Sequence, residues 1–132
     1  MSHEQVEAVR RAWEGFNQGD LDAFFADVAE DVEFEEDPAF PEARVFRGRE
    51  EVGDYIAAFQ EQMRDHRFTV EEVRDLGDRV LVLLHETARG ASSGIEVNQR
   101  PAFLYRFRGR EVVAVRAYLD RAEALEAVGL QR

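Results

Sequence analysis

The chain has 132 residues, 45% of them hydrophobic and ten of them Phe, with 34% charged, which is the make-up of one domain with its own core and excludes a disordered tail. Its formal net charge of -11 repels phosphate backbones and anionic membrane surfaces, and no basic patch offsets it, so nucleic acid and membrane are not expected partners. There is no Cys and no Lys, so disulfides, thiolate nucleophiles, thiolate metal sites and lysine Schiff bases are excluded.

The N-terminal MSHEQVEAVRRAW lacks the apolar run of a signal peptide, and no stretch approaches the length of a membrane span. A cytoplasmic protein folding as a single domain over residues 1–132 is the expectation. Val6, Val9, Trp13 and Phe16 recur at spacings of three and four, predicting a first helix that Gly19 stops in a left-handed cap. Asp20 then suits the N-cap of a second helix, with Leu21, Phe24, Phe25 and Val28 on its apolar face and an end near Glu30 and Asp31.

From Val32 the period becomes two, predicting a short strand, before Pro38 and Pro41 open a loop carrying Phe40, Arg44 and Phe46. A third helix is predicted over Gly48 to Met63, where Val52, Tyr55, Ile56, Phe59 and Met63 share one face. Four strands follow, over 67–76, 79–89, 95–108 and 111–120, joined by short Gly-containing turns that imply antiparallel neighbours. A last short helix spans Arg121 to Val128, capped by Asp120 and stopped by Gly129. The order α-α-β-α-β-β-β-β plus a C-terminal helix is an α+β plan, in which three N-terminal helices pack on a strongly curved, mostly antiparallel sheet as a cone-shaped barrel.

Five short words carry a family likeness: Asn17-Gln18-Gly19-Asp20-Leu21-Asp22, Ala29-Glu30-Asp31-Val32, Arg47-Gly48-Arg49-Glu50, Ser93-Gly94-Ile95-Glu96-Val97 and Tyr118 through Leu125. In this order the chain resembles the SnoaL-like and ketosteroid isomerase-like members of the nuclear transport factor 2-like superfamily, over nearly its whole length. The resemblance implies a homodimer formed through the sheet face and a cavity for a small hydrophobic molecule. It also implies carboxylate acid/base chemistry of isomerase or cyclase type. The alternative is a non-catalytic ligand-binding or homodimeric interaction module, working through the sheet face around Asn98, Arg100, Arg106, Arg116 and Tyr118.

The stretch Val32-Glu33-Phe34-Glu35-Glu36-Asp37-Pro38 holds the candidate acid or base. Strand parity places Val32, Phe34 and Glu36 on the inner face, so Glu36 is the inward carboxylate unless a bulge points Asp37 inward instead. In the isomerase pattern the oxyanion donors would fall near Ala12 or Trp13 and at Phe103, none of which offers an acidic proton. In the limonene epoxide hydrolase pattern the polar set would fall near Leu84, Glu86 and Ala117, of which only Glu86 is a carboxylate.

Alternation along Val80, Val82, Leu84 and Glu86 points all four inward, with Gln99 or Tyr105 as the partner expected for Glu86. The expected pocket lining is Trp13, Phe16, Tyr55, Phe59, Val82, Leu84, Glu86, Phe103, Tyr105, Val115 and Leu119. Asp120 reads as a helix cap, and Ser92 and Ser93 read as turn residues. His3, His66 and His85 are scattered without paired spacing, so neither a metal site nor a cofactor is expected.

Overall fold

A computed structural model describes residues 2–39 and 42–130, and the expected loop residues Phe40 and Pro41 lie outside them. Helix α1 (Ser2–Asn17) buries Ala8, Val9, Trp13 and Phe16 along one stripe, and Gly19 turns the chain at φ +76°. Gly15 permits the close packing of the next turn, since a Cβ there would stand 2.8 Å from the Ala23 Cβ. Helix α2 (Leu21–Phe24) is that single turn, with the Asp20 side chain accepting the Ala23 N–H at 3.1 Å.

The second helix is therefore shorter than its periodicity suggests. Strand β1 (Val28–Glu35) begins where the helical stripe would continue, because Val28 and Val32 serve a sheet as well as a helix and strand pairing decides between them. Strand β2 (Val45–Arg47) pairs antiparallel with β1, and α3 (Arg49–Glu61) follows a turn at Gly48 with φ +90°. Met63 already belongs to strand β3 (Met63–Asp75) rather than to the third helix.

Strands β4 (Arg79–Gly90), β5 (Glu96–Gln99), β6 (Ala102–Arg108) and β7 (Glu111–Tyr118) complete the sheet. The strand expected over 95–108 is divided at Arg100-Pro101. Pro101 has no N–H for the ladder, and β4 pairs first with β6 and then with β5 on either side of it. The strand order is β2-β1-β7-β6-β4-β3 with β5 beside β4, and β1 lies parallel to β7 while the other pairs are antiparallel. The sheet is not closed; it ends at β2 and β3, so it is an open curved sheet rather than a barrel.

Bulges in β3, between Arg64 and Arg67 and between Val70 and Glu72, bend the strand and change which residues face inward. One face of the sheet carries Phe34, Phe68, Val80, Val82, Leu84 and Tyr105 against Val9, Trp13 and Phe16 of α1 and Val52 of α3. The other carries Leu81, Leu83, Ala102 and Tyr118 beneath Ala124 and Leu125 of α4 (Arg121–Ala127). Tyr118, expected on an exposed sheet face, is thus buried. The Asp120 cap is present, its carboxylate accepting the Ala122 N–H at 2.8 Å. Among the described residues no helix is long and apolar enough to cross a membrane.

Candidate functional site

A pocket of about 350 Å³ lies between the helices and the inner face of the sheet. Its walls are rich in aromatic rings because several elements contribute them at inward positions: Trp13 and Phe16 from α1, Phe34 from β1, Tyr55 and Phe59 from α3, Phe68 from β3, and Phe103 and Tyr105 from β6. Trp13 meets Phe103 edge to face at 5.1 Å, and Tyr55 stacks on Phe46 at 4.2 Å. Phe103 and Trp13, the latter beside Ala12, lie near where the isomerase resemblance would put its oxyanion donors, and here these two rings pack on one another.

Both Glu36 and Asp37 line this pocket. Strand β1 ends at Glu35, so the alternation that would separate the two carboxylates no longer applies beyond it. Glu36 continues the pairing by donating its backbone N–H to the Arg44 carbonyl at 3.0 Å. Its side-chain Oε1 accepts the Arg44 N–H at 3.0 Å, and its Oε2 accepts the Tyr55 hydroxyl at 2.9 Å. Burial, and then the bond to Glu36, raise the Tyr55 hydroxyl well above the ordinary phenol range, with the charge of Glu86 adding to the effect.

Asp37 is 1% exposed. Its Oδ1 accepts the Ala39 N–H at 2.8 Å, a turn about Pro38, and its Oδ2 accepts the Leu119 N–H at 2.7 Å. Those bonds tie the chain after β1 to the end of β7. Glu86 also reaches the pocket, pairing through Oε2 with Nε2 of His66, whose side chain is 7% exposed, at 2.7 Å. The His66 ring sits among Phe16, Phe59 and Phe68, with centroids 5.2, 5.3 and 4.9 Å away. Burial pushes the Tyr105 hydroxyl up as well, partly opposed by the Trp13 N–H beside it.

A helix-roofed, aromatic pocket holding carboxylates on an open α+β sheet is the setting for the sequence match, which covers residues 9–120 with the SnoaL-like domain model. The chain belongs to the SnoaL-like domain family.

Solved structures extend the likeness of this SnoaL-like chain to its fold. A nuclear transport factor 2-like protein of unknown function from Burkholderia pseudomallei is 21% identical, over 96% of this chain and 98% of its own, with a TM-score of 0.79. A candidate SnoaL-like polyketide cyclase from Jannaschia sp. is 20% identical over 98% and 94%, with a TM-score of 0.79. TerC, crystallised with polyporic acid, is 16% identical over 95% and 98%, with a TM-score of 0.77. Among curated proteins no match is found.

Of the residues expected in the pocket of this SnoaL-like chain, Trp13, Phe16, Tyr55, Phe59, Glu86, Phe103, Tyr105, Val115 and Leu119 line it. Val82 and Leu84 do not line it; both are fully buried in the core cluster that also holds Trp13, Phe16 and Phe68. The expected partners of Glu86, Gln99 and Tyr105, give way to His66. His66 shares the parity of Phe68 and Val70, so carrying the strand alternation two residues back from Phe68 is the signal that finds it. Among the described residues no group of three side chains converges to hold a metal ion.

Proposed function

We propose that this SnoaL-like protein binds a small hydrophobic, ring-bearing molecule in the pocket between α1, α3 and the sheet, with Glu36 handling a proton at the ligand. The observation that carries the reading is an apolar, aromatic pocket of about 350 Å³ with the Glu36–Tyr55 hydrogen bond in its wall. Asp37 is the weaker candidate of the two, because both of its oxygens are held by backbone N–H groups. The Tyr55 hydroxyl, in contrast, can turn from Glu36 to a carbonyl oxygen of the ligand, leaving Glu36 to accept a proton from the adjacent carbon. The crystallisation of TerC, which shares the fold, with polyporic acid supports a small-molecule ligand.

Trp13 is the only Trp and lines the pocket, so a neutral aryl ketone such as 2-acetylnaphthalene is expected to quench its fluorescence saturably. Quenching that never saturates removes the pocket as a binding site. With a turned-over ketone in hand, Glu36→Gln should lower kcat at least about a hundredfold, the usual scale for loss of a general base. An unchanged kcat removes Glu36 from the role. The packed rings of Trp13 and Phe103 favour a second reading, a binding protein without catalysis, for which saturable quenching with no product is the expected result. We further place the protein in the cytoplasm as a homodimer joined through its outer sheet face.

A further inference from the structure

Among the described residues, three carboxylates line the pocket and no Arg or His does. Their hydrogen bonds set them apart. Asp37 has both oxygens on backbone N–H groups, while Glu36 holds Tyr55 on one oxygen and the Arg44 N–H on the other, with the Arg44 Nε 3.5 Å away. Glu86, 7% exposed, engages only Oε2, with His66, and among the described residues no hydrogen bond engages Oε1.

A carboxylate oxygen inside an apolar wall is costly until a donor or a positive charge meets it. Phe16, Phe59 and Phe68, the rings around His66, line the pocket as well, and an aromatic ring is a favourable neighbour for a cation. An anionic ligand, by contrast, meets carboxylates in the lining, while Arg44 and His66 stand behind it, each already turned to one of them. Taking as given that the pocket holds a small apolar ligand, we propose that the ligand is an apolar amine whose ammonium group hydrogen-bonds Glu86 Oε1 against these rings. His66 is a positioning residue that holds Glu86 in place, and the Glu36–Tyr55 pair remains for the other end of the ligand.

Three probes of one shape test this: cyclohexylmethylamine, cyclohexylmethanol and cyclohexanecarboxylate, titrated against Trp13 fluorescence. Near neutral pH the amine is protonated, its pKa being close to the value of about 10.4 for a lysine amine. Salt at about 0.3 M screens attraction to the acidic surface. The amine is expected to bind at least about tenfold tighter than the alcohol, and the carboxylate weakest of the three. In Glu86→Gln the ratio of amine to alcohol affinity should fall towards one.

Equal binding of amine and alcohol to the unaltered protein overturns the amine assignment and leaves the pocket reading standing. So does tightest binding of the carboxylate, or an amine preference that survives Glu86→Gln in a folded variant. Failure of all three probes to bind removes the pocket reading together with the assignment. The comparison in the unaltered protein needs no variant to fold.

Discussion

Tyr55 and Tyr105 set how the pocket wall responds to alkali. Burial raises both hydroxyls above the ordinary value of 10.0, so the folded chain keeps their protons at pH values where the unfolded chain releases them. The contribution to stability is therefore complete below about pH 10 and is lost as pH rises beyond it, because the unfolded state then binds fewer protons than the native state. Urea unfolding at about pH 9 and about pH 11 should show the loss, and Tyr105→Phe should make it smaller. An identical loss in the variant would show that Tyr105 does not titrate with unfolding. At this scale much of the site was legible: alternation alone points Glu86, Phe103 and Tyr105 inward, and all three line the pocket. Asp37 was not decided by alternation, because β1 stops at Glu35 and the direction of its side chain depends on Leu119, 82 residues away.

Among the elements, β3 is an edge strand and needs its outward polar groups satisfied. Asn17 does this at Phe68, its Nδ2 donating to the carbonyl at 2.7 Å and its Oδ1 accepting the N–H at 2.8 Å. Asn17 thus acts as a short piece of neighbouring strand and joins the end of α1 to the sheet. Asn17→Ala leaves both backbone groups unpaired at a buried residue, and a loss of about 2–4 kcal/mol is expected in denaturant unfolding. A loss below about 0.5 kcal/mol would mean that water replaces both bonds. Helix stops were plain in the sequence, since Gly19 and Gly129 adopt positive φ and Asp20 and Asp120 cap through their own side chains. The shortening of α2 was not, because it depends on which distant strand pairs there; the split at Pro101 has a local cause in its missing N–H, but the fold decides which part of β4 each half meets.

For the whole molecule, the open sheet leaves an outer face that α4 covers only in part, and the proposed homodimer would use the remainder. Association has to bring together two chains of formal charge -11, so Arg106 of β6 and Arg116 of β7, with Arg100 in the connection between β5 and β6, are the groups that would offset the repulsion. Light scattering should give about twice the chain mass of 15.2 kDa, with the dimer strengthened as salt rises from about 0.02 to about 0.3 M and repulsion is screened. A mass that stays at one chain throughout removes the dimer.

By itself the sequence determined the α+β plan, the helix stops, the inward face of β4 and β6, and an acidic stretch beside an aromatic interior. These follow from local quantities: side-chain period, cap chemistry and the φ that glycine permits. Only the tertiary structure decided that β1 lies parallel to β7, that Glu36 meets Tyr55, that Asp37 turns to Leu119 and that Glu86 pairs with His66. Each of those is a contact between residues far apart in the chain, and β-bulges and a proline break stand between the local pattern and the partner it meets.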